Sequence, residues 1–150
     1  MSEYVAKLTW NLGQAEFAAG EYSTNHRMEF GGGLAATMTS APDYGGDPRF
    51  VNPEEAIAAA LSSCHMMTFL ALAAKARWKV KRYTDQSVAT LGKTPDGRVK
   101  VGGITLHPEV TFEGGHDKDR EELQVMHDRA HRYCFVANAL DCEMKVEIRT

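Results

Sequence analysis

The sequence is short of several things, and each shortage narrows its reading. From Ala56 to Ala74 it has no aspartate, glutamate, lysine or arginine. No run of basic residues marks a face for nucleic acid, and the net charge of −3 works against one. Cysteine occurs only three times, as Cys64, Cys134 and Cys142. An odd count does not suit a disulfide scaffold and fits a reducing compartment. The opening stretch MSEYVAKLTW lacks the charged-then-apolar layout of a secretion signal. The expectation is a cytoplasmic protein with neither nucleic acid nor membrane as partner.

What is present is ordinary globular usage, 43% hydrophobic and 25% charged over 150 residues. That length suits a single domain, residues 1–150, with a sizeable core. The uncharged stretch approaches the roughly 20 residues that a membrane span needs. Alanine dominates it, however, and Ser62, Ser63, Cys64, His65 and Thr68 interrupt it. It reads better as a helix buried on most of its faces. A chain this short has little protein with which to wrap such a helix, so a second copy is expected to cover it in a homodimer. The helix start is well marked. Asn52 suits the N-cap, Pro53 the first helical position, and Glu54 and Glu55 the positive end of the dipole.

Strands are expected over residues 4–10, 21–30 and 34–40, with Gly31–Gly33 as a turn, and a Gly- and Pro-rich loop over 41–52. Beyond the helix, residues 80–92 and 98–114 read as strands about a Thr94–Gly97 turn, with Gly102-Gly103 marking a bulge. From Asp117 the period becomes helical and puts Leu123, Met126, Ala130, Cys134 and Ala137 on one face. The chain closes on a strand in which Cys142, Met144, Val146 and Ile148 alternate with charged residues. The order βββ–α–ββ–α–β gives an α+β fold with mostly antiparallel sheet covering the helices.

A free cysteine alone is usually a small buried hydrophobe. Cys64 and Cys134 say more together, because they sit on two helices that both face the core and could bring two thiols within reach. The residues around them are recognisable. NPEEAIAAALSSCHM, residues 52–66, resembles the first cysteine motif of the OsmC/Ohr family of organic hydroperoxide reductases. AHRYCFVANAL, residues 130–140, resembles that family's second cysteine-bearing helix. Tyr22-Ser23 followed by His26 is similar to the Y-S-R-x-H strand of one OsmC-like subgroup. The resemblance extends over almost the whole chain.

The resemblance implies a fold in which two long core helices lie back to back in an intertwined homodimer, wrapped by antiparallel sheets. It also implies a thiol peroxidase. Cys64 would attack an organic hydroperoxide and become a sulfenic acid, and Cys134 would condense with it to a disulfide. An external dithiol, such as a lipoyl group, would reopen that disulfide, with no cofactor or metal required. A thiol of ordinary pKa is only a few per cent ionised at neutral pH, and burial raises the value further, so Cys64 needs an activator. The family uses an arginine held by a glutamate, and the glutamate falls on Glu54.

Glu54 and Cys64 are ten residues apart, roughly 15 Å along a straight helix. Either the chain bends near Pro53, or Glu54 and its arginine serve the thiol of the other subunit. Thr24 stands where the subgroup has its arginine. That leaves Arg27, which points to the opposite side of a regular strand from residue 24, and Arg49, in the loop before the helix.

Other constellations compete. His127, His131 and Cys134 fall at i, i+4 and i+7, a workable spacing for a metal. An OsmC-like dimer without peroxidase activity could bind that metal or another small molecule. Met66, Met67, Phe69 and Trp78 could line an apolar pocket or be plain core. His65 points about 100° away from Cys64 on a helix, and Cys142 reads as a core residue of the last strand.

Overall fold

The computed structural model describes residues 1–150. It divides into two compact units, Met1–Ala56 and Ile57–Thr150. Three short strands make the sheet of the first unit: β1 (Ala6–Thr9), β2 (His26–Phe30) and β3 (Ala35–Met38), antiparallel in that order. The β2–β3 hairpin turns through Gly31–Gly33. Gly33 takes φ +86°, which only glycine adopts cheaply, and Phe30 closes the turn by donating its N–H to the Leu34 carbonyl at 2.8 Å. The strand expected over 21–30 begins only at His26. Trp10 instead meets Phe17 and Tyr22 edge to face before it, and Trp10 Nε1 donates to the Ser23 carbonyl at 2.9 Å.

The loop that follows β3 is stitched back on itself. Thr39 donates its N–H to the Val51 carbonyl, and the Thr24 hydroxyl meets those of Thr39 and Ser40 at 3.3 and 2.8 Å. Gly46 lies so tightly under Ser40 that a Cβ there would come within 1.5 Å of the Ser40 carbonyl oxygen. Asn52 then starts α1 (Pro53–Lys75) as the sequence leads one to expect. Its Oδ1 accepts from the Glu55 N–H at 2.8 Å, and Glu55 Oε2 accepts from the Asn52 N–H at 3.2 Å, a reciprocal capping box.

The second unit holds two small sheets and the remaining helices. β4 (Val80–Thr84) pairs antiparallel with β7 (Glu109–Phe112). β5 (Val88–Lys93) pairs antiparallel with β6 (Val99–Leu106), and β8 (Glu143–Val146) lies parallel to β6. The parallel pair departs from a purely antiparallel reading. It arises because α2 (Arg120–Tyr133) and the short α3 (Phe135–Ala139) carry the chain back before β8 begins. The expected bulge is real. The β5–β6 register slips between Thr90 and Leu91, where Gly102 lies unpaired with its Cα against that of Gly92. The strand expected over 80–92 divides in two, and that over 98–114, expected as one long or broken strand, is broken. Asp85 accepts the His107 N–H at 2.6 Å and holds the two breaks together.

Two apolar clusters fill this unit. Phe69, Ala73, Phe112, Leu123, Met126, Ala130 and Ile148 form one. Ala58, Leu61, Ile104, Leu106, Cys134 and Ala137 form the other. α1 buries only one stripe, Ala58, Leu61, His65, Phe69 and Ala73. Its opposite side, with Ala59, Ala60, Ser63, Met67, Ala71 and Ala74, is exposed and carries no charge. Within one chain the helix is therefore half covered, not buried on most faces.

Between the clusters lie two imidazoles. His65 and His127 are fully buried, and His65 Nε2 meets His127 Nδ1 at 2.9 Å. Burial, with a smaller push from His131 against a pull from Asp85, lowers the His65 pKa to about 4. Burial and then the His65 ring lower that of His127 to about 3. Both rings are neutral at pH 7.

The sign of the pH dependence follows. A free histidine titrates near 6.5, so below that pH the unfolded chain binds two protons that the folded chain resists. Stability is full above pH 6.5 and declines as the pH falls toward 4, by up to about 1.4 kcal/mol per unit for each ring. Urea unfolding between pH 7 and 5, above the range of ordinary carboxylates, should show this decline, and a flat profile would contradict it. Gly46→Ala is expected to lower stability by roughly 1–3 kcal/mol through overpacking against Ser40; an unchanged melting temperature would show that the loop yields instead.

Candidate active site

The site is built around a break that helical periodicity does not reveal. α2 ends at Tyr133, Cys134 takes an extended conformation (φ −75°, ψ 118°), and α3 begins at Phe135. Tyr133, Cys134, Phe135 and Val136 are all weak helix formers, so little local preference opposes the break. Cys134 serves as N-cap of α3, its Sγ accepting the Ala137 N–H at 3.4 Å. The break also frees the N–H groups of Phe135 and Val136, the first of the new helix, to point outward from its start.

Cys64 packs against the apolar cluster that holds Cys134 and Ala137. Burial is the largest single influence on this thiol and raises its pKa. The Val136 N–H, the Cys134 thiol, the Phe135 N–H and the Thr68 hydroxyl act the other way and together bring it below the ordinary value. Thr68 has one hydroxyl proton, which its 2.8 Å bond to the Cys64 carbonyl uses. The three donors from residues 134–136 therefore carry the effect. Cys134 shifts oppositely. Burial raises its pKa first, and its bond and charge contact with Cys64 add to the rise against the Ala137 N–H. The two thiols thus shift in opposite directions, Cys64 downward and Cys134 upward. Both are free thiols, Cys134 buried and Cys64 half-buried against the same apolar cluster.

The other candidate residues are placed less uniformly. Arg49 makes a fork to Asp47, with Nη2 to Oδ2 at 2.6 Å, and its side chain is 79% exposed. Arg27 pairs with Glu29 at 3.1 Å on the exposed face of β2. Each guanidinium thus already has a carboxylate neighbour, and the groups that lower the Cys64 pKa are N–H, S–H and O–H donors, not guanidinium cations. Glu54 lies on the same unbroken helix as Cys64, so no bend near Pro53 shortens the ten residues between them. Its Oε2 is buried and without a hydrogen-bond partner in the chain.

The metal alternative at His127, His131 and Cys134 is corrected. His127 turns inward to His65, and the helix ends before Cys134, so the i, i+7 relation does not hold. No group of three His, Cys, Asp or Glu side chains is placed to hold a metal ion. Nor do the four apolar candidates share one pocket. Phe69 is core, Met67 is exposed, and Trp78 packs beside Phe69. Met66 alone joins Ala59, Ser62, Ser63, Tyr83, Asp85 and Ser87 around a cavity of about 390 Å³. The sequence reading missed the Phe135 and Val136 N–H groups. Backbone donors leave no residue signature, and the one available signal was the cluster of poor helix formers at 133–136.

Comparison with known proteins agrees with this architecture. A family model described as "OsmC-like protein" matches residues 45–149. No curated protein matches the sequence. Among solved structures, an OsmC-like protein of unknown function from Vibrio cholerae is 40% identical, with a TM-score of 0.93 over 99% of this chain and 100% of that one. The organic hydroperoxide resistance protein OsmC of Legionella pneumophila is similar in fold at 20% identity, with a TM-score of 0.78 over 100% of this chain and 98% of that one. OhrB of Bacillus subtilis, another organic hydroperoxide resistance protein, has a TM-score of 0.70 at 22% identity, covering 97% and 98% of the two chains. Matched over most of its length by the family model, and 40% identical to a structure of that family from end to end, this chain belongs to the OsmC-like family.

Proposed function

We propose that the protein is a thiol-dependent peroxidase that reduces organic hydroperoxides to alcohols. One observation carries the reading. Two free thiols pack on one apolar cluster, and their pKa values are pushed in opposite directions, Cys64 down and Cys134 up. The Cys64 thiolate attacks the outer oxygen of the hydroperoxide, the O–O bond breaks, and the departing alkoxide takes a proton from solvent to leave as the alcohol. Cys64 is then a sulfenic acid. The Cys134 thiol displaces its hydroxyl as water, forming the Cys64–Cys134 disulfide. An external dithiol, of lipoyl or similar type, returns both thiols and leaves oxidised. No step calls for a cofactor.

The working form is read as a homodimer. In Met1–Ala56 only Met38, Thr39 and Asn52 are buried, while Tyr4, Val5, Leu8, Phe17 and Leu34 are exposed. Together with the uncharged outer face of α1, this is more apolar surface than an isolated chain usually shows to water. Glu54, with a buried oxygen lacking a partner, is read as the seat for a guanidinium, Arg49 or Arg27 of the same or a second chain. A cytoplasmic setting fits the free thiols.

Turnover of cumene hydroperoxide with dihydrolipoamide tests the reading. Cys64→Ser should cost at least about 1,000-fold in rate, the scale of losing a covalent nucleophile. Cys134→Ser should leave the first attack intact and accumulate a sulfenic acid trappable by dimedone on Cys64. Undiminished turnover in Cys64→Ser, or no turnover in the unmodified protein, would leave an OsmC-like dimer with some other task.

A further inference from the structure

We propose that His65 and His127 form the positioning element of the thiol site, a single directional bond that fixes α1 against α2 and so holds Cys64 at the start of α3. The peroxidase reading gives this position its purpose, but the observations and the test do not depend on it. His65 is the residue after Cys64, and His127 lies on α2, the helix whose C-cap is Cys134. A bond between these rings therefore ties together the two backbone segments that carry the sulfurs.

Nothing else polar does so. Apart from the contact between the sulfurs, the His65–His127 bond is the one side-chain hydrogen bond that joins α1 to the α2–α3 segment. Ser62 binds Asp85 at 2.5 Å, but this ties α1 to the end of β4. The remaining contact between the helices is apolar, with Phe69 and Ala73 in one cluster with Leu123, Met126 and Ala130. Apolar burial has no direction and tolerates a sliding helix; a hydrogen bond between rigid rings does not. The rings themselves are held. They lie within 7° of parallel, and the His127 ring stacks on Phe69 at 4.4 Å.

The arrangement is costly in a way that points to position and not to stability. Each ring has two nitrogens, and the shared bond uses one from each. His65 Nδ1 and His127 Nε2 are left buried with no partner. Whichever neutral tautomer forms, one of these is an unpaired N–H and the other an unpaired lone pair. Apolar side chains of similar size would fill the same space without orphaned atoms, and such replacements are often neutral or stabilising.

Two double variants separate the roles. His65→Leu with His127→Leu removes the bond and keeps the volume. His65→Gln with His127→Asn keeps polar groups near the two bonded positions. Melting temperature is read beside the pH profile of Cys64 alkylation by iodoacetamide, followed on its own peptide in the reduced protein. The leucine pair should melt at or above the parent temperature. Its alkylation midpoint should rise by about one pH unit, a tenfold loss of thiolate. The Cys64–Cys134 disulfide should lose about tenfold in equilibrium with dithiothreitol, or about 30 mV. The glutamine–asparagine pair should restore both. A folded leucine pair with the parent alkylation profile would overturn the proposal. If that pair does not fold, His127→Leu alone is read by the same profile and the same criterion. Absence of peroxide turnover in the parent would remove the functional reading and leave the alkylation result to decide this one.

Discussion

The proposed chemistry depends on how a sulfur anion can exist where there is little water. Burial alone drives Cys64 toward the neutral thiol, which is useless as a nucleophile. The structure opposes burial with hydrogen-bond donors taken from one irregular place in the backbone. Because Cys134 leaves the helical conformation, the two N–H groups after it have no carbonyl one turn back and remain available. The same residue lends its own S–H. One extended residue thus supplies a buried thiol and the cap of the next helix, and leaves the N–H groups after it available. A straight helix through residue 134 would bond those N–H groups internally and leave Cys64 an inert core thiol.

Much of this frame could be read from the residues. The long helix, its capping box, the bulge at Gly102 and the alternation of the last strand follow from short-range rules that the structure obeys. Cys64 and Cys134 also pack on one apolar cluster, as their places among core residues lead one to expect. What was not legible depends on events without a side-chain signature. The break at Cys134 falls inside an unbroken apolar period, since Ala130, Cys134 and Ala137 are all buried whether or not the helix continues. The search for a cation near Cys64 followed from the same limit. A residue-level reading looks for charged side chains, and Arg27 and Arg49 were there to be found. Backbone dipoles do similar work and are spelled with no particular letter.

The outer face of α1 is where the expected second copy would have to lie. The sequence from Ala56 to Ala74 carries no charge. Within a single chain, only the stripe through Leu61, His65 and Phe69 is covered. The other face is made of alanine, serine and methionine, small and adaptable side chains that let another surface approach closely. Lysine or glutamate at Ala60, Met67 or Ala71 would be harmless in an isolated chain, and the proposed homodimer accounts for their absence.

The histidine pair sharpens the same point about what stability arguments leave out. A core optimised only for free energy would not contain two imidazoles with a lone pair and an N–H left unmatched. Such atoms persist where geometry matters more than the fraction of a melting temperature they cost. Here the geometry is the approach of two sulfurs carried on different helices, and small errors in that approach are magnified. A hydrogen bond from a backbone N–H weakens steeply once the donor is misaligned. A disulfide tolerates only a narrow range of Cα separations. Apolar packing between α1 and α2 gives most of the adhesion but little of that precision. The one buried polar bond between them, set a residue from the first thiol and on the helix that Cys134 caps, is where the precision can come from.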